Sequence, residues 1–154
     1  MPKISAGILL YRLRNDKLEV LLVHPGGPFF RNKDVGAWSI PKGETDGEED
    51  LLAVARRELE EETGLKPAGP FVALKPIKQK GGKVVHAWAC AGDCDPTEIK
   101  SNTFTIEWPP RSRRMQEFPE VDRAEFFDLA TAKEKINAAQ AGLLDDLAAI
   151  VRNK

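Results

Sequence analysis

The chain opens with two short apolar blocks. Ile4–Tyr11 is rich in apolar residues but alternates poorly, and Val20–Val23 is a second apolar run. Asn15–Asp16 lies between them and reads as a turn, so the pair predicts a hairpin. His24–Gly36 follows, HPGGPFFRNKDVG, with three Gly, two Pro and no periodicity. That is a long loop, and long loops in compact domains often carry function. Ala37–Ile40 reads as a short extended segment, because Pro41 holds Ile40 extended. Gly43 permits a turn. A helix is predicted to begin near Glu48–Asp50, with acidic residues at its positive end. Leu51, Leu52, Ala55 and Leu59 make its core-facing stripe, and Gly64 is placed to stop it.

Pro67 and Pro70 keep the next stretch from being helical. Phe71–Ile77 and Lys83–Ala91 read as strands joined through Gly81–Gly82. Cys94–Ser101 is polar and turn-like, and Phe104–Trp108 is a short strand ended by Pro109–Pro110. Arg111–Arg114 is a basic loop. Phe118–Asp122 leads into a strand at Ala124–Leu129. Ala132–Asn137 and Ala141–Val151 are helical, the last with an apolar face of Leu143, Leu144, Leu147, Ala148 and Val151. This order predicts an α/β protein with a mixed sheet packed between helices. The regular strand–helix alternation of a doubly wound fold is missing, and strand pairing does not follow from the pattern.

Size and composition set outer limits. The 154 residues suit one domain spanning 1–154, and 42% hydrophobic with 31% charged residues suits a soluble globular chain. A formal net charge of -1 offers no general attraction to nucleic acid or an anionic membrane. No apolar run approaches the roughly 20 residues of a bilayer span, and the opening MPKISAGILLYR lacks a signal-peptide layout. Cys90 and Cys94 are too few for a disulfide framework and read as reduced thiols. A cytoplasmic location is the default expectation.

Chemistry concentrates in Gly43–Leu65, GETDGEEDLLAVARRELEEETGL. Glu58, Glu61 and Glu62 fall at i, i+3 and i+4, so one helical face carries three carboxylates within about 100° of arc. Like charges at this spacing cost an isolated helix about 0.2–0.5 kcal/mol per pair, and a helix C-terminus is the wrong end for anions. A cluster set against both preferences points to a cation. Oxygen-only ligands suit Mg²⁺, and Mn²⁺ accepts similar donors. Such ions neutralise phosphate chains and acidify bound water, chemistry that serves hydrolysis of a diphosphate linkage. The plain alternative, a solvated acidic helix end, would fit ELEEE alone but not its surroundings.

Those surroundings resemble the Nudix hydrolase family. Its pattern of glycine, five residues, glutamate, seven residues, arginine, glutamate, aliphatic, any residue, two glutamates, any residue, glycine and aliphatic is matched by Gly43, Glu49, Arg57, Glu58, Leu59, Glu61, Glu62, Gly64 and Leu65. The resemblance implies an α/β/α sandwich around a mixed β-sheet, with this segment forming a loop–helix–loop. It implies Glu58, Glu61 and Glu62 as ligands of Mg²⁺ or Mn²⁺, with the Gly43 carbonyl as a further oxygen. It casts Glu49 and Arg57 as residues that organise the site. It also implies a carboxylate from outside the segment as additional ligand or base. Glu107, Glu117 and Glu120 are the candidates, with Glu117 favoured for its place in a loop before the late strand.

Other candidates are read from position. Lys42 adjoins the acidic segment and is the foremost phosphate contact. Trp38 either packs in the core or stacks on a base. Arg31 and Lys33 either grip distal phosphates or solvate their loop, and Phe29 and Phe30 form an apolar platform or anchor on it. His24 has no identifiable partner and closes a strand; His86 is a strand residue with a substrate-facing alternative. Arg111, Arg113 and Arg114 form a patch able to steer a polyphosphate. The expected function is metal-dependent hydrolysis of a nucleotide-containing diphosphate, acting on a small-molecule substrate and not on long duplex nucleic acid. WSIPKGE and FPEVDRAEFF are more similar to members that cleave dinucleoside polyphosphates than to ADP-ribose specialists. Nucleoside triphosphates, or nucleotide binding without turnover, are the alternatives. The chain is expected to be a monomer or homodimer.

Overall fold

A computed structural model describes residues 3–152. The elements run β1 (Ile4–Arg14), β2 (Lys17–Pro25), β3 (Lys42–Thr45), α1 (Leu51–Thr63), β4 (Val72–Ala73), β5 (Ile77–Lys78), β6 (Val84–Ala91), β7 (Thr103–Glu107), β8 (Met115–Pro119), β9 (Val121–Asp128), α2 (Leu129–Lys135) and α3 (Ala141–Arg152). Seven strands form one sheet along β4-β6-β1-β2-β9, with β3 beside β1 and β5 beside β6; β7 and β8 form a separate two-stranded arm. β1 runs parallel to β6 and antiparallel to β2 and β3, so the sheet is mixed.

The poor alternation in β1 and β2 has a structural reason: both strands are buried on both faces. Leu9, Tyr11, Val20 and Leu22 face Ala132, Ile136, Leu143, Leu144 and Leu147 of the C-terminal helical segment. Ala6, Ile8, Leu10, Leu21 and Val23 face Val54, Ala55 and Leu59 of α1. The result is an α/β/α sandwich with two apolar layers. Asn15 and Asp16 sit at φ 53° and 63°, the pair of left-handed residues that a tight hairpin needs.

β1 and β2 pair only through Tyr11–Arg14 and then diverge. The chain from 38 to 45 fills the opening. β3 pairs with the first half of β1, placing Gly43 opposite Ala6, and Ser39 bridges Val23 of β2. The segment is also tied to the C-terminal region: Trp38 N–H donates to the Lys135 carbonyl at 3.0 Å, and Asn137 N–H donates to the Trp38 carbonyl at 2.7 Å. Gly43 thus lies in a strand, not in the turn expected of it.

Two strand expectations need correction. Phe71–Ile77 is not one strand but the fragments β4 and β5, separated at Leu74–Pro76, where Pro76 has no N–H to give the ladder. The basic stretch at 111–114 is the turn of a hairpin whose second strand, β8, has no apolar pattern to announce it; Phe118 alone is partly buried. Both cysteines are free thiols. Among the described residues, no helix is long and apolar enough to cross a membrane.

Candidate functional site

The site is assembled by α1. Asp50 caps it, its carboxylate accepting from Ala53 N–H at 3.1 Å, and Gly64 ends it in the left-handed conformation at φ 82°. Burial of Val54, Ala55 and Leu59 fixes the helix's rotation and turns Glu58 and Glu62 toward β3, with Glu61 near enough to act on Glu58 and Glu120. The exposed carbonyls that make a helix C-terminus negative are met by the chain beyond it. Glu61 C=O accepts from Asn102 N–H at 2.7 Å, and Thr63 C=O accepts from Lys100 N–H at 3.0 Å. That relieves part of the dipole penalty on the cluster.

Glu62 is only 8% exposed, and its carboxylate accepts from the backbone N–H of Lys42 at 3.1 Å. Burial, with Glu58 and Glu120 nearby, pushes its pKa up to about 8. Glu58 is also raised, by burial and then by Glu61, and Glu120 likewise. The mutual influence defines a group of four: Glu58, Glu61, Glu62 and Glu120. Gly43 lies against this group so closely that a Cβ built on it would sit within the Glu58 carboxylate. A side chain here would push the Glu58 carboxylate aside, so it is that approach and not φ that favours glycine.

Glu120, not the favoured Glu117, is the carboxylate that joins from outside. Glu117 is exposed on β8 opposite Thr105. Glu120 stands where the arm returns to β9: its N–H donates to the Asn102 carbonyl at 2.8 Å and its carbonyl accepts from Gly26 N–H at 2.9 Å. That placement depends on β2 pairing with β9, with Pro25 opposite Val121, a long-range fact absent from local pattern.

Lys42, Glu62 and Glu120 line one cleft of about 270 Å³, together with Phe30, Gln79, Asn137 and Gln140. Burial first, then Lys83, lowers the Lys42 pKa. Larger grooves of about 690 and 580 Å³ lie around Arg12 and Pro96. Each is also lined by two carboxylates, Asp93 and Asp95 or Asp122 and Glu125, but all four are exposed, whereas Glu62 in the smaller cleft is buried.

The remaining candidates fall outside it. Arg57 bridges Glu49 at 2.7 Å, half exposed, and its charge opposes the upward shift of Glu58. Trp38, 1% exposed, packs edge-on against His24 and Phe127 and donates from Nε1 to Asp34 at 2.8 Å. It occupies the core and does not line the cleft; of its two readings the packing one matches this position. Arg31 and Lys33 are exposed on the loop whose Phe30 does reach the cleft, and Lys33 Nζ lies 5.3 Å from the Phe30 ring centre. His24 does have partners: its ring nitrogens lie 2.7 Å from Asp122 Oδ1 and 2.7 Å from the Lys33 carbonyl, so it ties that loop to β9. Gln140 belongs to no sequence motif and gives no local signal of a role. It is buried, and its Oε1 accepts from Ile40 N–H at 3.1 Å, bracing the chain just before Lys42.

Among the described residues, no three His, Cys, Asp or Glu side chains converge as a ready-made ion shell. The donor set nonetheless fits a hard divalent cation: oxygen donors only, with the ionisation of buried Glu62 and half-buried Glu58 opposed by burial and by their neighbours. A domain model described as the NUDIX domain matches residues 1–147.

The chain belongs to the Nudix family.

Among curated Nudix relatives, Nudix hydrolase 7 of Arabidopsis thaliana is 31% identical over 115 residues, covering 70% of this chain and 39% of that protein. The chain spans only 33% and 39% of the curated relatives it matches. A C. elegans Ap4A hydrolase binary complex superposes with a TM-score of 0.68 at 22% identity, covering 99% of both chains. The NUDIX domain of Shewanella oneidensis NrtR, complexed with ADP ribose, gives 0.66 at 17% identity, covering 98% of this chain and 89% of that one. These two likenesses are likenesses of fold.

Proposed function

We propose that this Nudix protein hydrolyses a diphosphate linkage in a nucleotide derivative, with dinucleoside polyphosphates as the favoured substrate class. The observation that carries the proposal is a cleft lined by Lys42, Glu62 and Glu120, with Glu58 and Glu61 close enough to raise the pKa values of those carboxylates. The fold likeness to the C. elegans enzyme supports the substrate class.

Glu58, Glu61, Glu62 and the Gly43 carbonyl would hold Mg²⁺ or Mn²⁺, which supplies neutralisation of phosphate oxygens and acidification of a water. Lys42 presents an ammonium to the phosphate chain, and its lowered pKa reflects a burial that brings an anion a stronger interaction. Glu120, which lines the cleft, takes the proton of the attacking water in this reading; its raised pKa moves its basicity toward neutrality. The water oxygen bonds to one phosphorus, the bridging P–O bond breaks, and its electron pair leaves on the second phosphate. Arg57 holds Glu49 at the helix start and acts on the cluster through its field, not by contact with substrate.

The test is a panel of dinucleoside polyphosphates, nucleoside triphosphates, nucleotide sugars and ADP-ribose with Mg²⁺ or Mn²⁺, with products resolved by chromatography. Cleavage at a diphosphate, fastest for dinucleoside polyphosphates and strongly reduced in Glu61→Gln, is the expected result. Fastest cleavage of nucleoside triphosphates shifts the substrate class. Binding without cleavage across the panel replaces the hydrolase by a nucleotide-binding regulator.

A further inference from the structure

The cleft holds about 270 Å³. Pockets that enclose drug-sized ligands run to roughly 300–1,000 Å³. This cleft lies just below that range, so a molecule as long as a dinucleoside polyphosphate extends beyond it.

A surface for that half adjoins the mouth. Phe30, 37% exposed, lines the cleft, while the next ring along, Phe29, is 63% exposed and turned onto the arm. It meets Trp108 edge-to-face, with centroids 5.4 Å apart at 78°. An anchor would be covered, and Phe29 is not. The position of the pair is held from beneath. Gly27 lies directly on the Phe104 ring, which packs against Phe118 at 6.1 Å. The Trp108 backbone is pinned at both groups: its N–H donates to the Arg114 carbonyl at 2.9 Å, and its carbonyl accepts from Gln116 Nε2 at 2.8 Å.

The charge around the rings is positive. Arg111, Arg113 and Arg114 are exposed at the arm's tip and Arg31 on the neighbouring loop, and among the described residues none of the four has an ion-pair partner. Glu107, one of the arm's two acids, is engaged with Arg111 N–H at 3.0 Å; Glu117 is the other. Phe29 is exposed and Trp108 half-buried; accessible aromatic surface beside unpaired guanidiniums is what binds a base and its phosphates without reading sequence.

We propose that Phe29, Trp108 and the arginines of the β7–β8 turn form a second base-binding site, which stacks the nucleoside that projects beyond the diphosphate cleft. The proposal rests on the dinucleoside polyphosphate reading of the cleft and deepens it.

The experiment compares diadenosine tetraphosphate with adenosine tetraphosphate capped as its terminal methyl ester, which keeps the charge of the phosphate chain and lacks the second nucleoside. Equilibrium affinities are measured by calorimetry in chelated buffer, and KM for both compounds is measured with Mg²⁺. The native protein is expected to favour the dinucleoside by about tenfold, the scale of one aromatic–base stack. Phe29→Ala and Trp108→Ala, each checked for an unchanged melting temperature, lose that margin while affinity for the methyl ester stays the same. A native protein with equal affinities, or variants that keep the margin, overturns the second site. If Phe29→Ala instead dissociates a dimer and no margin exists, the surface is a contact between copies and the proposal fails. A binding margin without hydrolysis of either compound leaves the surface standing and sinks the hydrolase reading; hydrolysis of both with equal KM does the reverse.

Discussion

Replacing Glu62 by Gln should make the protein more stable and, at the same time, inactive. The folded-state pKa of Glu62 is pushed up to about 8, against 4.5 for an unperturbed glutamate. The native protein therefore holds this proton more tightly than the unfolded chain does. Stability from this group is complete below the unfolded value and is lost as pH rises toward the folded one. With 1.36 kcal/mol per pKa unit, the loss from about pH 5.5 to about pH 8.5 is on the order of 3 kcal/mol. In Glu62→Gln the amide oxygen keeps the acceptor for Lys42 N–H, and the side chain carries no proton to lose. For a chain of this size the difference corresponds to roughly 10 °C in Tm. The assay is urea unfolding of both proteins across that pH range in chelated buffer. The native curve should fall relative to the variant's, and the two should approach each other at the acid end. Mg²⁺ should then recover stability in the native protein by mass action and have little effect on the variant. Parallel pH curves, or a variant that is the less stable at high pH, would refute the buried-charge account of the cleft.

Other perturbations test separate parts of the site. Glu120→Gln should lower kcat about a hundredfold or more, the usual scale of acid–base contributions, whereas Glu117→Gln should leave it unchanged; the opposite ranking in steady-state kinetics would return the role to Glu117. Gly43→Ala places a methyl group where the Glu58 carboxylate stands; the flexible end of Glu58 swings aside, so the variant should lose no more than about 1 kcal/mol, the low end of overpacking, while turnover falls well beyond what that stability loss explains. A native rate in that variant would show that Glu58 can move aside without consequence. His24→Ala removes the imidazole between Asp122 and the Lys33 carbonyl. It should destabilise the fold by about 2–4 kcal/mol and speed limited proteolysis between 26 and 36; unchanged cleavage there would mean the loop is held by other contacts.

What could be read from the chain was whatever depends on near neighbours. The α1 boundaries, the Gly64 stop and the shared face of Glu58, Glu61 and Glu62 follow from spacing within one helix. The two-sided burial of β1 and β2 was legible as apolar runs without alternation. Features that need a distant partner were not. Glu120 enters the cleft because β9 docks on β2, and Gln140 reaches Ile40 across a hundred residues of chain. β8 has almost no buried side chain, so its pairing with β7 left no hydrophobic trace. Trp38 presented both a stacking ring and a core ring to the same reasoning; only its surroundings, His24 and Phe127 at 5.2 and 5.0 Å, distinguish them.

The stretch from Trp38 to Thr45 is wedged into the fork between two diverging strands and fastened to the far end of the chain through Lys135, Asn137 and Gln140. The 23-residue motif is consequently not a transplantable cassette. Grafted into another scaffold it would bring the glutamates but lose the seat that sets Lys42 and Gly43 against them. Deleting α2 and α3 should disarm the motif even though it leaves every residue of it in place.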